Sequence, residues 1–144
     1  MNAAEKALRN ARMLHAALFL ASIAYILVPL VVMKTQTKEV SPAIVAAVSL
    51  IAVSDLGIAT FFRSKMVKSA AETLAQNPED AGAAAKWSRG VLLSLVFCMS
   101  TILFGLVLRI LGASWNICGL FFVAGILLLL AWTPKLDLPS STRS

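Results

Sequence analysis

The chain has 144 residues, of which 59% are hydrophobic and only 14% are charged, and its mean hydropathy is +0.84. Such a composition excludes an ordinary soluble domain and predicts one all-α membrane domain. The net charge of +6 resides on Lys and Arg that flank apolar segments and form no aromatic-interleaved patch, which argues against nucleic acid as a partner.

Four uncharged apolar stretches predict four transmembrane helices in an antiparallel bundle. A helix needs about 20 apolar residues to cross about 30 Å of hydrocarbon, and the second stretch reaches that length only by including Asp55. We expect a single domain of residues 1–133 and a polar cytoplasmic tail at 134–144. The expected helices cover residues 13–33, 42–62, 87–109 and 116–132.

Basic residues precede the first apolar stretch, as they do in a secretory signal. The stretch is too long for such a signal, and the residues after it contain no small-x-small cleavage pattern. We therefore expect a retained helix, with residues 2–12 extending it and His15 as a polar anchor at its inner end.

The second helix has recognisable signals at both ends. Ser41 and Pro42 suit its N-cap and first turn, and apolar residues recur at helical spacing through residues 63–76, which predicts an extension to residue 76. Asn77 before Pro78 then predicts a turn, because the residue before a proline is disfavoured in the helical region.

The distribution of basic residues predicts the orientation. If the N-terminus is cytoplasmic, that side holds all Lys and Arg except Lys34, Lys38 and Arg109. By the positive-inside rule, both termini and the central loop face the cytoplasm across an inner or plasma membrane. Membrane lipids are then expected partners, and Trp87 is expected to mark the cytoplasmic interface at the start of the third helix.

Asp55 lies near the middle of the second span, where a carboxylate costs about 2.5 to 3.5 kcal/mol and is often functional. The nearest cation along the helix, Arg63, is roughly 12 Å away, so desolvation favours a neutral acid that takes up and releases a proton. One interpretation is an ion- or proton-binding site. The other is a structural hydrogen bond to a hydroxyl of the third helix, at Ser94, Ser100 or Thr101.

Small residues form a stripe on each of the two central helices. Such stripes permit close backbone approach and hydrogen bonds between helices in lipid. We expect the two helices to pack as a tight hairpin through them, and contacts between subunits are the alternative. The stripe of the third helix is Ser94, Cys98, Thr101 and Gly105, and the row on the second helix includes Ser54 and Gly57.

No complete catalytic, metal-binding or phosphate-binding motif is present. The only histidine is His15, and Cys98 and Cys118 lie singly inside apolar spans, where a structural role is expected. The sequence therefore predicts a non-enzymatic protein without cofactor or metal.

Two short segments resemble the helical hairpin of the rotary ATPase c subunit, the proteolipid that forms ion-carrying rings. Residues 76–79 (Gln-Asn-Pro-Glu) resemble its cytoplasmic loop, and residues 104–107 (Phe-Gly-Leu-Val) resemble the end of its returning helix. The resemblance covers about residues 42–111. It implies a membrane hairpin that forms a homo-oligomer and binds an ion through a carboxylate.

The essential carboxylate of that family would fall near Met99 or Val96, and neither is an acid. Asp55 precedes Pro78 by about as many residues as Met99 follows it, so we expect Asp55 at the depth of Met99 in the folded hairpin. The expected function is a proteolipid-like oligomeric membrane protein that binds or conducts a proton or cation through Asp55. The alternative is an accessory or scaffold subunit of a larger membrane complex.

Overall fold

Four helical rods follow one another along the chain, in a computed structural model that describes residues 2–32 and 40–136. All regular elements within these residues are helical, which confirms the all-α prediction. Residues 137–144 of the expected tail lie outside the described residues. The rods are α1 (Ala3–Val32), α2 (Pro42–Phe62, continued by Arg63–Lys68 and Ser69–Gln76), α3 (Ala81–Ile110) and α4 (Trp115–Ala131).

Three of these helices, α1, α2 and α3, are long and apolar enough to cross a membrane. The fourth, α4, is equally apolar but has 17 residues and is therefore about 26 Å long. We call the end of the bundle that carries the turn at residues 77–80 the hairpin end. The opposite end, which carries the turn at residues 111–114, is called the far end.

Capping side chains and a turn glycine mark the ends of the helices. Asn2 and Glu5 form a reciprocal capping box at the start of α1, in which the Glu5 N–H donates to Asn2 Oδ1 at 2.7 Å. Asp80 caps α3 by accepting from the Ala83 N–H at 2.9 Å. Ser41 occupies the N-cap position of α2 as expected, although its side chain makes no capping bond. At the far end, Gly112 closes α3 at φ 101°, a conformation that favours glycine.

Helix α3 is the centre of the bundle. In the most apolar stretch of 18 residues, 50% of α3 is buried, compared with 11% of α1 and 6% of α2. Each of the other helices packs against α3. Glycines permit the close approach: a Cβ at Gly90 would lie 2.8 Å from the Val67 side chain of α2, and one at Gly105 would lie 2.9 Å from Phe122 of α4. Such contacts matter because burial of apolar surface gives no net drive between helices in lipid.

The hairpin end is held together by a small core around Trp87. This side chain is fully buried in one cluster with Leu74 and with alanines of α1, and the Ala4 N–H donates to the Pro78 carbonyl at 3.0 Å. Trp87 is therefore part of the protein core, at the end of the bundle where α1 packs against α3. The expectation that it marks the membrane interface stays a prediction.

A π-helical segment, Arg63–Lys68, interrupts the α-helical hydrogen bonding of α2. Its Val67 is buried against Gly90, and the Arg63 guanidinium lies 5.4 Å from the centre of the Trp132 ring at the end of α4. A π turn holds one more residue than an α turn, so the faces of α2 before and after the segment are rotated relative to each other. The apolar spacing of residues 63–76 gave no sign of this segment.

Replacing Gly125 by alanine is expected to destabilise the protein by about 1 to 3 kcal/mol through overpacking. The new Cβ would collide with the Ile102 side chain and lie 3.3 Å from the Ile102 backbone nitrogen. Gly119→Ala on the same helix is the matched control, because no described atom of another helix lies within 4 Å of its built Cβ. The free energy of unfolding in mixed micelles measures both, and equal stability of the two variants would contradict the packing described.

Candidate functional site at Asp55

Asp55 lies half-buried on the face of α2 that packs against α3. Ser100 of α3 donates from its hydroxyl to Asp55 Oδ2, with an oxygen–oxygen distance of 3.0 Å. Asp55 therefore lies at the depth of Ser100, the residue that follows Met99. This is the depth expected from counting residues before and after Pro78. Of the three hydroxyls named from the sequence, Ser100 is the one that Asp55 reaches.

The Ser100 hydroxyl has two acceptors within reach and only one proton to donate. Its oxygen lies 3.0 Å from Asp55 Oδ2 and 2.8 Å from the Phe97 carbonyl oxygen of its own helix. When Asp55 is ionised, the hydroxyl donates to the carboxylate. When Asp55 is protonated, the acid donates to the Ser100 oxygen, and the hydroxyl turns to the Phe97 carbonyl. The same geometry thus accommodates both protonation states.

The Asp55–Ser100 pair lies at an open edge of the contact between α2 and α3. Ile51 and Ile58, one turn to either side of Asp55, are exposed. Val96 and Leu103, one turn to either side of Ser100, are exposed as well. In a bilayer these apolar side chains face lipid or a neighbouring subunit. The polar pair is therefore accessible from the lipid or from that subunit.

The oxygen atoms around Asp55 are few. Within residues 2–32 and 40–136, no group of three or more His, Cys, Asp and Glu side chains is arranged to hold a metal ion. One carboxylate and one hydroxyl supply few of the six or more oxygens around Ca²⁺ or Mg²⁺, so water would have to supply most of that coordination shell. A proton needs only the two groups present.

The stripe on α3 is buried along its whole length but does not bond the neighbouring helices as expected. The Ser94 and Thr101 hydroxyls donate to the Gly90 and Phe97 carbonyls of their own helix. Cys98 is buried as a free thiol, and Gly105 lies against Phe122 of α4. At Gly105 the stripe therefore serves packing with α4, not with α2.

The row on α2 faces away from the bundle. Ser54 and Gly57 are both exposed, and the Ser54 hydroxyl donates to the Leu50 carbonyl of its own helix. No described atom of another helix lies within 4 Å of a Cβ built on Gly57. The prediction that this row packs within the chain is wrong. With Asp55 turned toward α3, helical geometry directs its neighbours Ser54 and Gly57 outward. The alternative, a contact between subunits, stays a prediction.

Two polar contacts between helices were not foreseen. His15 lies with Nε2 2.9 Å from the Leu129 carbonyl oxygen, one of the carbonyls that the end of α4 leaves without a helical partner. Arg109 is buried at the far end, donates to the Ala113 carbonyl at 2.9 Å and lies over the Trp115 ring. The His15 contact joins residues 114 positions apart, so no local spacing signals it.

No protein-family model, curated protein or solved structure matches this chain. The resemblance of its hairpin to the rotary ATPase c subunit therefore stays a prediction. The class that the fold defines is a helical protein whose described residues include three helices long and apolar enough to cross a membrane.

Replacing Ser100 by alanine is expected to lower the free energy of unfolding by about 0.6 kcal/mol and by no more than about 1.7 kcal/mol. The change removes the donor to Asp55, whereas Ser54→Ala, the matched control, removes a hydroxyl bonded only within its own helix. Combining each change with Asp55→Ala, which removes the acceptor, tests the coupling, which is expected for Ser100 alone. Equal effects at both serines, or additive effects with Asp55→Ala, would contradict the contact.

Proposed function

We propose that the protein is a non-enzymatic, oligomeric, multi-pass membrane protein of proteolipid-like type that binds a proton at Asp55 and conducts it across the bilayer. All four helices span the membrane in this proposal, and both termini are cytoplasmic. The single observation that carries it is the hydrogen bond of 3.0 Å between Ser100 and Asp55 in otherwise apolar surroundings.

The first support is energetic. An acid near the middle of a span is costly to insert, and acids that persist there usually take part in ion or proton transfer or bond a neighbouring helix. Asp55 is flanked by exposed isoleucines on its own helix, so it lies within the apolar surface of the protein and not near a polar end.

The second support is the proton arrangement around Ser100. Because this hydroxyl can donate either to Asp55 or to the Phe97 carbonyl, the site keeps a hydrogen bond whether the acid holds or has released its proton. A site that serves both states has no large reorganisation to make on each transfer. A hydroxyl that can donate in two directions favours the uptake and release of a proton. A metal cation is less favoured, because Asp55 and Ser100 supply few of the oxygen ligands it needs.

The orientation rests on charge. At the hairpin end, Lys and Arg residues of three helices are exposed, and the positive-inside rule places such a surface in the cytoplasm. These residues are Lys6, Arg9, Arg12, Lys65, Lys68, Lys86 and Arg89.

The second candidate function is an accessory or scaffold subunit of a larger membrane complex, in which Asp55 only joins α2 to α3. The same hydrogen bond favours it, since one interhelical bond in a small bundle also has a structural use. Asparagine at position 55 separates the two functions. It accepts from Ser100 as aspartate does, but it cannot take up and release a proton.

Asp55→Asn is therefore expected to reduce proton flux to the level of protein-free vesicles while the free energy of unfolding changes little. The measurement is the pH change inside proteoliposomes after an imposed potential, with Glu72→Gln as the control that removes an exposed carboxylate outside the site. Absence of flux in the wild type, or undiminished flux in Asp55→Asn, would contradict proton conduction and favour the scaffold function.

The oligomeric part of the proposal has its own test. The mass of the purified protein in mild detergent is expected to correspond to several identical chains. A stable assembly with other proteins favours the scaffold function, and a monomer at all concentrations would contradict the proposed oligomer.

A further inference from the structure

A groove of about 240 Å³ lies between α1 and α3 at the hairpin end and has two chemically different parts. The polar residues that line it are Asn10, Ser88 and Arg89. Its apolar part includes Leu14, Val91 and Leu92. Neither the Asp55 site nor the proposed proton conduction makes use of this groove.

The polar part lies where the membrane surface must be. Arg89 is the last charged residue before the uncharged segment 90–108 of α3, which is about 28 Å long as a helix and so matches the hydrocarbon thickness. On α1, Asn10 lies just before the uncharged segment that begins at Met13. Both walls of the groove therefore change from polar to apolar at the same depth, the level of the lipid phosphates.

The apolar part continues toward the middle of the bilayer. Leu92, Val96 and Leu103 are exposed along α3, with the half-buried Ser100 between the last two. In the part of the chain that the structure describes, α1 and α2 pack against α3 on either side without a substantial contact with each other. From Leu92 to Leu103 this surface is about 16 Å long. It is long enough to accommodate much of an acyl chain.

The charge at the polar part is positive. Among the described residues no carboxylate lines the groove, and the exposed Lys86 precedes Arg89 by one turn. The acidic residues of this end lie outside the groove: Glu5, Glu72, Glu79 and Asp80. Guanidinium, amide and hydroxyl donors at the membrane surface suit a phosphate group, and each basic residue there contributes about 1 kcal/mol toward anionic lipid.

We propose that this groove is a binding site for an anionic phospholipid. The phosphate accepts hydrogen bonds from Arg89, Asn10 and Ser88, and one acyl chain lies along Leu14 and Leu92. The ligand comes from the surrounding membrane and not from free phosphate, because the polar donors open directly onto an apolar surface of acyl-chain length.

The test compares retention of phosphatidylglycerol and phosphatidylcholine with identical acyl chains by the purified full-length protein, measured by native mass spectrometry from mild detergent. Wild-type protein is expected to retain phosphatidylglycerol preferentially, and Arg89→Gln is expected to bind it about tenfold more weakly. Arg9→Gln is the matched control, because it removes the same charge from an exposed position that does not line the groove. Arg89→Lys is expected to restore part of the binding.

Three results would overturn the proposal. An equal loss of phosphatidylglycerol binding in Arg9→Gln and Arg89→Gln would indicate attraction by the basic surface as a whole. Equal retention of the two lipids by the wild type would rule out recognition of the headgroup charge. Complete displacement of phosphatidylglycerol by millimolar inorganic phosphate would indicate a site for free phosphate. Asp55→Asn is expected to leave the preference for phosphatidylglycerol over phosphatidylcholine unchanged, because Asp55 does not line the polar part of the groove. This proposal and that of proton conduction therefore fail independently.

Discussion

The structure depends on how closely the other three helices approach α3. In hydrocarbon, helices associate through van der Waals packing and hydrogen bonds, and both require short distances between backbones. Gly90 permits this approach for α2, and Gly105 permits it for α4. Because α3 is the helix that all the others contact, the depth and rotation of each helix are set by its fit to α3.

The rotation of α2 decides which of its residues have a role inside the protein. With Asp55 turned to Ser100, the exposed row that contains Ser54 and Gly57 is directed away from the bundle. One orientation of α2 about its axis thus gives Asp55 its hydrogen bond and places small residues on the outer face of the helix. In a membrane, an outward surface of small residues is where another helix can approach closely, which agrees with the proposed oligomer.

Much of the fold follows from local sequence, whereas the contacts between helices do not. Hydropathy and turn chemistry gave helices close to the observed ones, since Asn77 and Pro78 end α2 through local backbone preferences. Counting residues from that turn placed Asp55 at the correct depth. The rotation of each helix about its own axis was not predictable, because several faces of α2 and α3 carry equally apolar or equally small residues. The burial of Trp87 and the contact of His15 depend on α1 and α4, which the hairpin alone does not reveal.

The bond between the Ala4 N–H and the Pro78 carbonyl has a consequence for biogenesis. The ribosome makes residue 4 well before residue 78, and α1 and α2 are both synthesised before the Pro78 carbonyl exists. The first turn of α1 therefore cannot make this contact until the turn between α2 and α3 has been synthesised. A segment of α1 that is made early thus completes its native contacts late.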